Sequence, residues 1–124
     1  MSRIHPPAPE LQVDRWLNTE APVTLESLRG KVVVLHAFQM LCPGCVANAI
    51  PQARRLNEIA GSIDGLVVLG IHTVFEHHAA MTPVSLEAFL HEYRITFPVA
   101  AVLLPLVLRP ALRSCRKRCT PSGV

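Results

Sequence analysis

The sequence lacks long apolar runs and has few aromatic residues. Half of its 124 residues are apolar but only 5% are aromatic, so a core would consist mainly of aliphatic side chains. No window of 18 or more apolar residues occurs, and this excludes a membrane-spanning helix. Neither the apolar stretch nor the cleavage site of a secretory signal occurs in the first residues, MSRIHPPAPELQ. These absences predict a cytoplasmic protein of one domain that has no membrane partner.

Acidic residues are missing from the last part of the chain. All nine lie within residues 1–100, whereas five of the twelve basic residues lie within 101–124. Five charges without interleaved aromatic residues do not favour nucleic-acid binding. Nine of the ten residues in the stretch VAAVLLPLVL (99–108) are apolar, and neither a hairpin nor an amphipathic helix is indicated after it. We therefore predict a domain over residues 1–100 and an aberrant apolar and basic tail over 101–124.

Three apolar segments predict β-strands. The first, Lys31–Phe38, is rich in β-branched residues and nearly continuous in its apolar character, as is typical of a central strand buried on both faces. The second runs from Gly65 to Val74, and a third extended segment begins at Arg94 and reaches Val99. The 27 or so residues between the first two strands suit a right-handed βαβ crossover, as roughly 30 residues form such a unit.

Two amphipathic helices are predicted between these strands. The first begins at Pro43, ends at Gly61 and should be kinked at Pro51, because an internal proline removes a backbone hydrogen bond. The second follows a capping residue, Thr82, and has Pro83 in its first position. Their apolar residues recur at helical spacing: Val46, Ala49, Ile50, Ala53, Leu56 and Ala60 in the first, and Leu86, Phe89, Leu90 and Tyr93 in the second. The order strand–helix–strand–helix–strand predicts an α/β fold.

Cys42 and Cys45 lie where the first strand gives way to the first helix, in the stretch FQMLCPGCVANAIPQ. The free N–H groups and the positive dipole end of a helix start favour thiolate over thiol, so Cys42 should be a nucleophile near neutral pH. Cys45 lies three residues on, on the same face, where it can close a disulfide and resolve a mixed disulfide. Pro43 fixes the first helical turn, and together with Gly44 it should orient the pair.

Two other interpretations of the cysteine pair stay open. The two residues could be ordinary small core residues, or they could be half of a metal site. A structural zinc site needs four ligands; the others could come from Cys115 and Cys119, or from His72, His77 and His78. The redox interpretation is favoured because the tail shows no readable structure. No metal or other cofactor is therefore expected.

The strand KVVVLHAF, the CPGC that opens a helix, the strand VVLGIHTV and the segment HEYRITFPV together resemble the thioredoxin superfamily. The nearest resemblance is to its redoxin branch, the TlpA-like thiol–disulfide oxidoreductases and their peroxiredoxin relatives, and it covers about residues 10–99. The resemblance implies a thioredoxin-like sheet with flanking helices. It also implies exchange with protein or small-molecule disulfides, with Cys42 as nucleophile, Cys45 as resolving thiol and a dithiol as electron donor.

Two further site residues follow from the resemblance. His36 lies six residues before Cys42, where thioredoxins often place a buried acid that carries protons to the resolving thiol. A buried histidine bonded to a backbone carbonyl is an equally good interpretation. Glu76 falls close to the position of an active-site glutamate in TlpA-like reductases and is a candidate base, although a solvated loop glutamate is also consistent with its position.

The sequence departs from the family at several positions. Leu41 stands where many thioredoxin-like proteins have tryptophan, and Gln39 stands where peroxiredoxins have threonine, which argues against peroxidase chemistry. No segment reads as the family's C-terminal hairpin and last helix, although Thr120-Pro121 is similar to its Thr-Pro dipeptide. We hypothesise that a frameshift or truncation after about residue 100 removed them. A sheet edge would then be open to self-association, and an impaired remnant that acts only as a binding module is the alternative function.

Overall fold

The computed structural model describes residues 6–102 and forms a four-stranded sheet in the order β1-β4-β3-β2. Strands β2, β3 and β4 are mutually parallel, and β1 pairs with β4 in the antiparallel direction. The strands are β1 (Arg15–Leu17), β2 (Val32–Phe38), β3 (Leu66–Thr73) and β4 (Val99–Val102). The predicted α/β class is confirmed.

Strand β3 lies inside the sheet and is the most buried strand. Leu69 and Ile71 are almost fully buried, as are their neighbours from Val68 to His72. Gly70 lies at a close approach, because a Cβ atom there would stand 2.9 Å from the Phe97 ring and 3.0 Å from Val99. The absence of a side chain at this position therefore allows the aromatic ring to pack directly on the strand.

Strand β2 differs from the prediction of a central strand buried on both faces. It lies at the edge of the described sheet, and Val32 and Leu35 are 67% and 46% exposed. Its outer edge has no partner strand among residues 6–102, and the helices cover the face that carries Phe38, so Leu35 on the opposite face is exposed. This free edge is the kind of surface that favours association with another strand. Self-association through it stays a prediction.

The first helix begins at Pro43 and continues through a π-helical turn (Cys45–Ala49) into α1 (Ile50–Ala60). The kink at Pro51 stays a prediction; the wider turn lies directly before this proline, and in it the N–H of Ile50 donates to the carbonyl of Cys45. Proline has no N–H to donate to the preceding turn, so the regular pattern of helical hydrogen bonds is interrupted at this position. Helix α1 ends before Gly61, as predicted.

The second helix, α2 (Pro83–Glu92), has the predicted cap. The Thr82 hydroxyl oxygen accepts a hydrogen bond from the N–H of Ser85 at 3.2 Å. Leu86 and Leu90 are buried as expected. Arg94 follows the helix and has φ +52°, which is not a strand conformation. The third of the predicted strands is β4, and it begins at Val99 and not at Arg94.

Two apolar clusters lie on opposite faces of the sheet, because successive strand residues point to opposite sides. The larger cluster joins both helices to the sheet and contains Phe38, Val68, Ile50, Ala53, Leu86 and Leu90. The smaller contains Ile71, Ala100 and Val102, with Leu11, Val13 and Trp16 packed against it. The helices therefore cover the face of the sheet that carries Phe38, the last residue of β2.

Several predictions concern residues outside the described range. They include the basic tail, the Cys115–Cys119 pair, the Thr120-Pro121 dipeptide and the frameshift hypothesis. The division into a domain over 1–100 and a tail over 101–124 also stays a prediction. No helix within residues 6–102 has the length and apolar character needed to cross a bilayer.

Candidate active site

The two CPGC cysteines lie at the start of the first helix, with Cys42 in the capping position. Its carbonyl oxygen accepts the first helical hydrogen bond, from the N–H of Val46 at 3.0 Å. Both cysteines are half-buried free thiols. Their side chains are hydrogen-bonded to each other, so the two sulfur atoms are neighbours in the folded chain.

The surroundings of Cys42 favour its thiolate. The hydrogen bond from the Cys45 thiol lowers the pKa of Cys42, and backbone hydrogen bonds from Cys45 and Gly44 lower it further. These backbone donors are free because the first N–H groups of a helix have no partner within it. The carboxylate of Glu76 acts against them and raises the pKa of Cys42, so it lies close enough to affect the sulfur. The net direction for Cys42 is downward.

Cys45 is affected in the opposite direction. Burial raises the pKa of this thiol, and its hydrogen bond to Cys42 raises it further. The side chain packs against the larger apolar cluster, which explains the burial. A backbone hydrogen bond from Gln39 opposes these effects. One thiol of the pair is therefore poised to ionise first, and the other stays protonated and can donate to it.

Gln39 joins the loop before the cysteines to the loop after β3. The side chain is 0% exposed, and its Oε1 accepts hydrogen bonds from the N–H groups of Phe75 at 2.7 Å and Glu76 at 3.1 Å. Its Nε2 is buried and has no hydrogen-bond partner among the described residues. Its carbonyl also accepts from the N–H of Cys42 at 3.4 Å. A single residue thus contacts both loops of the site.

His72, near the end of β3, binds the loop that precedes the cysteines. The N–H of Met40 donates to His72 Nε2 at 3.3 Å, so the ring carries its proton on Nδ1. The side chain is 2% exposed, and burial lowers the pKa of His72 to about 4. The imidazole is therefore neutral at pH 7, as an acceptor must be.

The backbone turns sharply at Leu41, between this loop and Cys42. Leu41 has φ +60°, a left-handed conformation that is uncommon for a residue other than glycine. Its side chain is 63% exposed, as is that of Phe75 at 60%. Pro43 is exposed at the first helical position, and Gly44 has a helical φ of −65° with open space around its Cα. The two residues between the cysteines are thus accommodated as helical residues.

A model of the AhpC/TSA family matches residues 4–101, which is most of the chain and includes every site residue described above. The chain belongs to the AhpC/TSA family. The predicted relationship to thioredoxin-like redoxins is thereby confirmed.

Curated relatives contain this AhpC/TSA segment as a small part of a larger protein. NHL repeat-containing protein 2 of Gallus gallus is 37% identical over 94 residues, covering 73% of this chain and 12% of that protein. Protein DipZ of Mycobacterium bovis is 34% identical over 96 residues, covering 75% of this chain and 13% of the relative. The chain therefore spans about an eighth of the length of these relatives.

Solved structures of thioredoxin-like proteins superpose on the AhpC/TSA chain. The crystal structure of a thioredoxin-like superfamily protein has a TM-score of 0.74 and 51% identity, covering 85% of this chain and 71% of its own. A thiol-disulfide isomerase of Corynebacterium glutamicum has a TM-score of 0.73 and 44% identity, covering 86% and 71%. The thioredoxin-like fold predicted from the sequence is confirmed.

The AhpC/TSA fold brings only part of the predicted site together. Glu76 lies in the loop after β3, and its charge reaches Cys42. His36 lies on β2, where its ring stacks on Phe38 with centroids 5.9 Å apart. Burial lowers the pKa of His36, and its Nε2 is buried without a hydrogen-bond partner among the described residues. A role for His36 in proton transfer stays a prediction.

The roles of Gln39 and His72 are not predicted from the sequence. In the sequence Gln39 stands out only as a departure from the peroxiredoxin threonine, and His72 only as one of several possible metal ligands. The available signal was their position, since Gln39 follows the end of one strand and His72 lies near the end of the adjacent parallel one. His72 Nε2 is engaged by Met40, and the part of the chain from residue 6 to residue 102 contains no group of three or more possible metal ligands.

Proposed function

We propose that this AhpC/TSA chain is a thiol–disulfide oxidoreductase whose redox pair is Cys42 and Cys45. The observation that carries the proposal is the mutual hydrogen bond of the two thiols, together with the opposite shifts of their pKa values. A pair of accidental core cysteines gives no reason for this asymmetry. An attacking and a resolving thiol require it.

In the first step the Cys42 thiolate attacks one sulfur of a target disulfide. A bond forms between Cys42 and that sulfur, the target S–S bond breaks, and the second target sulfur leaves as a thiolate that takes a proton from water. The lowered pKa of Cys42 supports this assignment because the thiolate, not the thiol, is the nucleophile. Its half-exposed position at the helix start leaves the sulfur accessible to a partner.

In the second step Cys45 loses its proton and attacks Cys42. A Cys42–Cys45 disulfide forms, the mixed disulfide breaks, and the remaining target sulfur leaves as the second thiol. Over both steps the target gains two electrons and two protons, and the cysteine pair loses them. A dithiol electron donor then reverses the exchange and restores the pair. Protein or small-molecule disulfides are the proposed substrates.

The Cys45 proton needs an acceptor, because burial raises the pKa of this thiol. We assign that role to Glu76, whose exposed carboxylate lies close enough to Cys42 to affect its pKa. The carboxylate also raises the pKa of Cys42 and so opposes premature ionisation of that thiol. His36 contacts Phe38 on β2 and is the second candidate.

Redox titration tests the proposed function. A Cys115→Ser/Cys119→Ser variant is equilibrated in glutathione buffers of graded potential, and free thiols are then alkylated and mapped by mass spectrometry. Cys42 and Cys45 should convert together in one two-electron transition between about −270 and −120 mV, the range of known Cys-x-x-Cys proteins. The same protein should accelerate the reduction of insulin disulfides by dithiothreitol.

Two results of the titration would contradict the proposed function. Independent oxidation of the two cysteines, or a protein that stays fully reduced while glutathione is oxidised, would overturn the assignment. The double serine variant serves as the background because it leaves Cys42 and Cys45 as the remaining thiols of the chain. The unsubstituted protein, run in parallel, shows whether the tail cysteines exchange with the pair.

A further inference from the structure

Gln39 has a side chain with an unusual combination of contacts for a surface loop. It is fully buried, and one carboxamide oxygen accepts two consecutive backbone N–H groups, those of Phe75 and Glu76. The side chains of both residues are exposed. The backbone of the loop that they form is therefore held by the buried Gln39 side chain. The carboxamide therefore holds the backbone of Glu76, and Gln39 itself lies only three positions before Cys42 in the sequence.

The backbone of Gln39 reaches the cysteine pair directly. Its carbonyl oxygen accepts from the N–H of Cys42 at 3.4 Å, and a backbone hydrogen bond from Gln39 also reaches Cys45. The residue thus contacts the cysteines through its main chain and Glu76 through its side chain. Movement of one loop relative to the other would break the hydrogen bonds that Phe75 and Glu76 donate to the Gln39 side chain.

We propose that Gln39 is a positioning residue that ties the Glu76 loop to the cysteine loop and so sets the distance from the Glu76 carboxylate to the Cys42 sulfur. The proposal rests on the proposed function, because that distance matters for thiol exchange. A neutral carboxamide suits the position. It accepts two hydrogen bonds as a carboxylate would, but it adds no buried negative charge next to a developing thiolate.

The effect of Glu76 on Cys42 provides the readout. Glu76→Gln removes the carboxylate charge that raises the pKa of Cys42, so the pH midpoint of Cys42 alkylation should fall. In a Gln39→Leu background the Glu76 loop loses its anchor, and more than half of that fall should disappear. A double-mutant cycle on the pH midpoint measures this coupling. A structural defect alone would lower the protein yield or its melting temperature without making the two substitutions depend on each other.

Gln39→Glu is the matched control. Glutamate has nearly the same shape and keeps an oxygen that accepts from Phe75 and Glu76, so the fall caused by Glu76→Gln should persist in this background. Its own midpoint should lie above that of the wild type, because a carboxylate beside the thiols disfavours the thiolate. An unchanged fall in the Gln39→Leu background, equal to that in the wild type, would overturn the proposal.

Amide hydrogen exchange on the unsubstituted protein gives a second test that requires no variant to fold. The N–H groups of Phe75 and Glu76 should exchange much more slowly than that of the neighbouring exposed residue His77, since the former donate to Gln39. Rates for all three as fast as for an unfolded peptide would contradict the proposal. Absence of a redox transition would refute the proposed function, whereas a normal transition without coupling would refute only the role of Gln39.

Discussion

Replacing Cys42 by serine is expected to reduce the rate of insulin-disulfide reduction by about 10³-fold or more, to the uncatalysed level. The serine hydroxyl is not ionised near neutral pH, so the attack on the target disulfide cannot begin. The folded structure should survive, because Cys42 is half-exposed at the start of a helix and serine is a favourable residue in a capping position. The rate of insulin reduction by dithiothreitol measures the loss of activity, and a thermal melt measures whether the fold survives.

Cys45→Ser is the matched variant for this prediction. It should also lose turnover, but by a different route. Cys42 can still attack, so when the reduced variant is mixed with insulin without dithiothreitol, a mixed disulfide should accumulate to about one per chain and should be recovered at Cys42 by peptide mapping. If Cys42→Ser kept its activity while Cys45→Ser lost it, the roles of the two thiols would be reversed.

Acid is expected to destabilise the protein through His72. Burial holds the pKa of this imidazole at about 4 in the folded chain, whereas the ordinary value in an unfolded chain is 6.5. Between these values the unfolded state binds more protons, so stability rises with pH across this window. The contribution is fully present above pH 6.5 and is lost as the pH falls towards 4. It amounts to about 3 kcal/mol, at 1.36 kcal/mol per pH unit.

Urea unfolding at several pH values from 4 to 7.5 measures this effect. His72→Gln keeps an acceptor for the N–H of Met40 but does not titrate, so the free energy of unfolding of this variant should vary less with pH, by about 3 kcal/mol over the range. His78→Gln, at an exposed loop position, is the control and should follow the wild type. Parallel curves for the wild type and His72→Gln would contradict the prediction.

The elements of the fold could be predicted because their signals are local. The β-branched run of β2, the Thr82 cap and the glycine at the end of α1 each determine a structure within a few residues, and all three were found. The edge position of β2 could not be predicted in this way. An apolar run is equally typical of a strand inside a sheet, and the number of neighbours depends on pairing between distant segments.

The site could be predicted only where a single segment of the sequence contains the interacting residues. The CPGC motif contains both thiols and the helix start that polarises them, so the opposite directions of their pKa shifts could be expected from the sequence. Gln39 and His72 act across loops, through contacts between residues 36 and 32 positions apart. Glutamine and histidine have no sequence pattern that indicates such contacts. The nearness of Glu76 to Cys42 came from the family resemblance and not from any local pattern.

The pH dependence of alkylation at each cysteine is the most direct measurement of the central claim, that Cys42 is the activated thiol of the pair. The reduced protein is treated with iodoacetamide from pH 5 to 10, and the labelled peptides are mapped by mass spectrometry. Cys42 should be labelled first, with a midpoint below that of an ordinary thiol, and Cys45 should react only at higher pH, because the surroundings shift the two pKa values in opposite directions. Equal rates at all pH values, or labelling of Cys45 first, would contradict it.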